Sequence, residues 1–201
     1  MPRRPRYSPI NIPQHVMQRG HDRQNCFLET EDFRQYLKLL KQFSNAYCVQ
    51  IHAWVLMTNH VHMLVTPHQE NGLSQMMQAI AYRYAQYFNK KYKRTGGLWE
   101  RRFRNCVIDS DEYLLYCYIY IELNPVRAGM VTLPEEYRWT SYHENAGDMG
   151  EIIVTPHELY LHLGQGHMSR KETYRDLLMA GLAEEQIDVI RKASRRSKAI
   201  K

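Results

Sequence analysis

The sequence predicts an α+β sandwich of ferredoxin-like type, an antiparallel sheet with helices packed on one face. Three observations carry this expectation. Short runs of β-branched and apolar residues alternate with longer segments of helical period, in the order strand, helix, hairpin, helix, strand, helix. Two of the strands lie close together and turn at Thr58-Asn59, which suits a tight β-hairpin. The chain has 201 residues, 44% of them hydrophobic, enough for one domain with a genuine core plus an appendage.

Each element has its own signal. Residues 1–9 read as a flexible Pro/Arg arm carrying Arg3, Arg4 and Arg6. Residues 15–19 read as a first strand ended by Gly20. Across 31–47, Phe33, Tyr36, Leu37, Leu40 and Phe43 recur at helical spacing, with Thr30 as the expected N-cap. The hairpin strands are 49–56 and 60–65, and a second helix spans 73–91, capped near Asn71 or Gly72. Thr95-Gly96-Gly97 is a loop, and 103–108 a fourth strand. The helix that follows is capped by Asp109 or Ser110, has Glu112 in its first turn, and stops at Asn124 because Pro125 disfavours helical geometry there. Glycines at 147, 150, 164 and 166 suggest a boundary near residue 146. Residues 1–145 then form the main domain. Residues 146–201 form a helical extension, with helices over 169–178 and 184–193 and a basic tail.

Composition narrows the function. No run approaches the length of a membrane span, and the basic N-terminus is not followed by the apolar stretch of a signal peptide. The four cysteines (Cys26, Cys48, Cys106, Cys117) are scattered, as expected of reduced thiols in a cytoplasmic protein. Net charge is +6. It is concentrated in the N-terminal arm, in Lys90, Lys91, Lys93, Arg94, Arg101, Arg102 and Arg104, and in residues 191–201. One such run serves equally as a solvated surface, but three together favour a nucleic acid partner.

The chemistry-bearing pattern is His60-Val61-His62. On a strand both imidazoles project from the same face and Val61 from the other. Such a pair is either a hydrogen-bonded element of the core or a grip for one divalent metal ion. A second pattern lies downstream. Tyr113, Tyr116, Tyr120 and Asn124 share one face of a helix. Packing explains some of these tyrosines, above all Tyr113 and, on another face, Tyr118. A tyrosine is also a competent covalent nucleophile toward a phosphodiester, since its aryloxide can be displaced again.

With these residues in view, the chain resembles the REP-associated tyrosine transposases, a branch of the HUH single-strand transposases. His60-Val61-His62 matches the HUH motif. The other matching pieces, in family order, are His15-Val16-Met17-Gln18-Arg19-Gly20, Leu98-Trp99-Glu100-Arg101-Arg102-Phe103, the run from Tyr120 through Asn124-Pro125-Val126-Arg127 to Gly129, and Trp139-Thr140-Ser141-Tyr142. Together they cover roughly residues 8–145.

The resemblance implies cleavage and rejoining of single-stranded DNA at palindromic repeats that fold into hairpins. His60 and His62 would hold Mg²⁺ or Mn²⁺, and Tyr120 would attack to give a 5′-phosphotyrosine and a free 3′-hydroxyl. A phenol with a pKa of about 10 needs a metal or a base to react near neutrality. Related enzymes draw a third ligand from four residues after the nucleophile. Here that position is Asn124, a neutral oxygen donor where relatives often carry Gln. Glu122 is the nearest carboxylate but points about 200° around the helix from Tyr120. Tyr116, one turn earlier, is the rival nucleophile. Of the remaining histidines, expected to be structural, His52 is the first to check, because it sits on the neighbouring strand. Arg3, Arg4, Arg6, Arg19, Lys90, Lys91, Arg101, Arg102, Arg104 and Arg127 are the candidate DNA contacts, and the basic tail is expected either to bind hairpin DNA or to occlude the site. Some relatives dimerise to exchange tyrosines; this branch is expected to act as a monomer. Two other functions fit parts of the pattern: a zinc-type hydrolase using water, and a DNA-hairpin-binding regulator that does not cut.

Overall fold

Strand pairing places the two histidines on a central strand of a sheet. The computed structural model describes residues 6–147 and 153–200; Arg3, Arg4, Gly150 and Lys201 lie outside the described residues. Four strands, β1 (Gln14–Arg19), β2 (Val49–Met57), β3 (His60–Pro67) and β4 (Arg104–Val107), form an antiparallel sheet of order β2-β3-β1-β4. Helix α1 (Thr30–Ala46) connects β1 to β2, and α2 (Gly72–Lys91) connects β3 to β4. This is the split βαβ arrangement of the ferredoxin-like fold. Thr58-Asn59 forms the two-residue turn between β2 and β3, as the sequence predicts.

Register decides the two faces. Met17 pairs with His62 and Arg19 with His60, so these four side chains share a face with His15 and Leu64. Val16, Val61 and Met63 point to the other face and are fully buried, beneath the mutually packed α1 and α2. Aromatic residues knit that layer. Phe27 and Phe33 stack at 4.7 Å, Phe33 and Trp139 at 4.6 Å, and Tyr36 and Tyr84 meet edge-on at 5.2 Å.

The histidine face is covered too, so the sandwich has three layers where the sequence predicts helices on one face. Helix α3 (Asp111–Glu122) lies across β2 and β3, and α8 (Glu184–Arg196) lies across β4 and β1. The physical reason is the composition of that face. It carries Val55, Leu64 and Cys106 beside the histidines, and this apolar surface would be wet without a second layer.

Caps adjust some boundaries. Helix α1 begins at Thr30, so its N-cap is Glu29 and not Thr30, because Asp32 accepts from the Leu28 and Glu29 amides at 2.8 and 3.1 Å. Ser110 caps α3 by accepting from the Tyr113 amide. Helix α3 ends at Glu122, two residues before the expected stop, and Asn124 opens the short α4 (Asn124–Arg127) with Pro125 in its first turn. Gly20 ends β1 as expected. Its amide donates to Asn59 O at 2.8 Å, and a Cβ there would stand 2.4 Å from Gln24 O.

The later chain packs on this core. Residues 139–141 run along the outer edge of β2, with Leu56 N donating to Trp139 O and Ser141 N to Trp54 O, both at 2.9 Å. That gives the Trp139-Thr140-Ser141 motif a structural role in covering an edge strand. Helices α5 (Tyr142–Asn145), α6 (Glu158–Leu161) and α7 (His167–Ala180) follow. Tyr160, Tyr174, Leu178, Ile187, Ile190 and Ile200 all join the same buried cluster as the sheet. The end of the tail pairs with the end of β4, Ile200 N donating to Val107 O and Asp109 N to Ile200 O. Glu122 faces away from the histidines. Fully buried, it accepts from Ser141 Oγ at 2.6 Å, Asn145 Nδ2 at 2.7 Å and Tyr174 OH at 2.8 Å, clasping α3 to the later segments. Burial pushes its carboxyl up to about 7 despite those donors. Among the described residues no helix is long and apolar enough to cross a membrane.

Candidate active site

One cleft of about 700 Å³ opens at the end of the sheet where β1 and β3 meet Asn59 and α3. His60, His62, Tyr120 and Asn124 all line it. Two parts of the chain far apart in sequence converge here. Strand β3 supplies the histidines through its alternation, α3 supplies Tyr120, and the break between α3 and α4 places Asn124 beside it. The Tyr120 ring meets the His62 ring at 5.8 Å and the His15 ring at 5.7 Å, both edge-on. Tyr116, the rival nucleophile, is turned away; its hydroxyl donates to Glu112.

The hydrogen bonds of the histidines leave their outer nitrogens available. His60 Nδ1 pairs with Asn59 Oδ1 at 2.6 Å, and His62 Nδ1 with His15 Nε2 at 2.8 Å. Among the described residues neither Nε2 has a hydrogen-bond partner. Burial, with Arg19 adding to it, pushes the His60 imidazole down to about 4. Burial and Arg127 do the same for His15, and burial and the neighbouring imidazoles hold His62 well below its ordinary value. The rings are therefore neutral at neutral pH, the form that offers a lone pair. Asn124 Nδ2 is buried without a partner. Two imidazole nitrogens and the Asn124 carboxamide oxygen are the groups here that could hold a divalent ion, and their donor types suit one. Among the described residues no three His, Cys, Asp or Glu side chains gather as a complete ligand set.

Arginines surround this centre. Arg19, Arg101, Arg102 and Arg104, named from the sequence, all line the cleft. Arg127 lies behind the tyrosine: its guanidinium sits 4.3 Å over the Tyr120 ring and donates to Tyr120 O. Burial pushes it down to about 10, so it remains charged. Arg6 lies at β4 instead, over the Phe103 ring at 4.1 Å and bonded to Phe103 O. Lys91 is engaged elsewhere, with buried Asp32 at 2.8 Å and with Glu29; neither it nor Lys90 lines the cleft.

Arg191 and Arg195, from the basic tail expected to bind DNA or occlude the site, line the cleft; sequence reasoning missed Arg23 and Ser194, which line it too, and it set His15 aside as structural. No local signal marks Ser194, since only the packing of α8 over β1 and β4 brings it in. His15 carried a weak signal, being a histidine on an alternating strand, but its meeting with His62 depends on the β1–β3 register. His52, the histidine to check first, sits at the β2 bulge and bonds Thr155 O at 2.7 Å and Thr66 Oγ1 at 2.8 Å, a structural role.

Comparison with known proteins places this geometry. The family model described as "Transposase IS200 like" matches residues 9–124, more than half of the chain. The chain belongs to this family of transposases. It is similar to a REP-associated tyrosine transposase of Haemophilus influenzae, with 28% identity over 138 residues covering 62% of this chain and 76% of that one. Its fold is similar to the structure of a REP-associated tyrosine transposase bound to a REP hairpin, at TM-score 0.62 and 19% identity, covering 78% of this chain and 93% of the other. The transposase is therefore an enzyme of DNA strand cleavage and transfer, and the cleft unites the two histidines and the tyrosine that the family resemblance singles out.

Proposed function

We propose that the transposase cleaves and rejoins single-stranded DNA at palindromic hairpin repeats through a 5′-phosphotyrosine on Tyr120. The observation that carries this reading is the convergence of Tyr120, His60 and His62 in one arginine-lined cleft. Kinship with a protein whose structure holds a REP hairpin supports the choice of DNA.

His60, His62 and Asn124 would hold a divalent ion, Mg²⁺ or Mn²⁺. Such an ion, when bound, polarises a phosphate oxygen and offsets charge that builds on the phosphoryl group. The protein's own groups do the rest. Arg19, Arg101, Arg102 and Arg104 bind backbone phosphates beside the tyrosine. Arg127 fixes the Tyr120 ring by stacking on it and by tying Tyr120 O to α4. Tyr120 Oη gives its proton to water and forms a bond to phosphorus while the bond from phosphorus to the 3′ oxygen breaks, and that oxygen takes up a proton from water to become the 3′-hydroxyl. One phosphoester replaces another, so a 3′-hydroxyl reverses the step without ATP. We also assign residues 1–145 as the catalytic unit, acting as a monomer, and 146–201 as a helical extension that lends Arg191 and Arg195 to the cleft.

The test is a cleavage assay with labelled single-stranded hairpin oligonucleotides and Mn²⁺ or Mg²⁺. Cleavage lost in Tyr120→Phe and kept in Tyr116→Phe supports the reading. Cleavage that survives Tyr120→Phe moves the chemistry to water as nucleophile and overturns it. Binding without cleavage across a broad panel of hairpins leaves a regulator.

A further inference from the structure

A chain of buried polar groups links the C-terminal helix to the histidine pair. Ser194 Oγ of α8 lies 2.9 Å from His15 Nδ1, and His15 Nε2 lies 2.8 Å from His62 Nδ1. The His15 and His62 rings stack at 5.0 Å and 20°. Beyond the serine, Cys106 Sγ lies 3.9 Å from Ser194 Oγ. His15, His62, Cys106 and Ser194 are all buried, and His15 and Cys106 are almost wholly so. Ser194 and His62 thus flank the two nitrogens of the His15 imidazole, Ser194 from 179 positions away in the chain.

A neutral imidazole has one N–H and one bare nitrogen. His15 is bonded through both nitrogens, so the links are forced to run the same way. In one direction His62 Nδ1–H donates to His15 Nε2, His15 Nδ1–H donates to Ser194 Oγ, and the serine hydroxyl turns toward Cys106 Sγ. This leaves His62 Nε2 bare toward the cleft. In the other direction Ser194 donates to His15 and His15 to His62, so that His62 Nε2 carries the hydrogen and is no ligand. His60 faces no such choice. Its Nδ1 donates to Asn59 Oδ1, and the Asn59 amide is oriented because Nδ2 donates to Arg23 O at 3.0 Å.

We propose that Ser194, acting through His15, sets the ring tautomer of His62 and so makes the C-terminal helix part of the support of the metal-binding pair. Ser194 and His15 are positioning residues. The inference rests on His62 being a ligand, as proposed above, but the tautomer is observable without any metal. Partners of this kind orient ligating histidines generally, and their loss costs about 10- to 100-fold in metal affinity. Ser194→Ala removes the acceptor for His15 Nδ1–H. A bare buried nitrogen is the smaller loss than an orphaned N–H, so both rings switch and His62 Nε2 acquires the hydrogen.

The experiment uses the full chain with ¹⁵N-labelled histidine, read by long-range ¹H–¹⁵N correlation spectra without metal, and Mn²⁺ affinity measured by electron paramagnetic resonance. Wild type is expected to show His62 protonated at Nδ1. Ser194→Ala shows it protonated at Nε2, with Mn²⁺ binding about 10- to 100-fold weaker. Ser194→Thr, which keeps the hydroxyl, restores both. In a His15→Gln background the link from Ser194 to His62 is cut, so adding Ser194→Ala changes neither the His62 tautomer nor the Mn²⁺ affinity further. A wild-type His62 protonated at Nε2, or a Ser194→Ala variant with unchanged tautomer and affinity, overturns the proposal. Wild-type protein with the expected tautomers that takes up no Mn²⁺ supports the relay and sinks the metal reading instead.

Discussion

Glu122 makes the stability of this transposase depend on pH in a direction opposite to that of most carboxylates. Its carboxyl, pushed up to about 7 by burial from an ordinary 4.5, binds a proton more tightly in the folded than in the unfolded chain. The stability this confers is complete below about pH 4.5 and is lost as pH rises through about 7. With 1.36 kcal/mol per pKa unit, the group contributes about 2.5 kcal/mol less at pH 8 than at pH 5. The buried histidines shift the other way, since their depressed values cost stability as pH falls below 6.5, so the wild-type profile alone mixes the two. Glu122→Gln isolates the carboxyl. The amide keeps the shape and the acceptor oxygen for Ser141 and Asn145 but does not titrate. Urea unfolding of both proteins at pH 5, 6, 7 and 8 gives the difference directly. The variant should gain about 2.5 kcal/mol relative to wild type between pH 5 and pH 8. A difference that stays flat over that range, or that falls, refutes the assignment of a neutral-leaning carboxyl at the α3 clasp.

Three further predictions probe other parts of the structure. His60→Ala and His62→Ala should each abolish cleavage and Mn²⁺ uptake while leaving the circular dichroism spectrum unchanged; retained cleavage in either would remove that histidine from the site. Arg102→Ala should weaken single-stranded DNA binding and lower the slope of log affinity against log salt by about 0.7, the value for one phosphate contact; an unchanged slope would place Arg102 off the DNA path. Asp32→Ala should cost about 3 kcal/mol in urea unfolding, because it removes the acceptor of the Leu28 and Glu29 amides and of the Tyr87 and Tyr92 hydroxyls; a cost below about 1 kcal/mol, the scale of a surface pair, would contradict that role.

Local patterns made the sheet, its hairpin and the main helices legible, because period and turn chemistry are properties of contiguous residues. The same holds for His60, His62 and Tyr120. Side-chain alternation puts the two histidines on one face, and helical period puts Tyr120 on the face that Asn124 shares. Layering was not legible. Charge alone suggested that the basic tail reaches DNA or the site, but nothing in the α8 sequence, with Ile187, Ile190 and Ala193 as its buried stripe, says which surface that stripe covers, so the placement of Ser194 against His15 could not be foreseen. Glu122 shows a partial success. Helical geometry correctly turned it away from Tyr120, but its partners Ser141, Asn145 and Tyr174 come from segments whose packing only the fold supplies. Lys91 shows the converse: a basic run reads as a nucleic acid surface, while one member of it neutralises a buried carboxylate.

The central claim is that Tyr120 carries DNA covalently. The most direct test is to stall the reaction on a single-stranded hairpin substrate with Mn²⁺ or Mg²⁺, digest the denatured complex, and locate the modified peptide by mass spectrometry. The account predicts a nucleotide joined through its 5′ phosphate to Tyr120, on a peptide from α3, and no such peptide from His62→Ala. An adduct on Tyr116, or cleaved DNA ends with no protein attached, would contradict it.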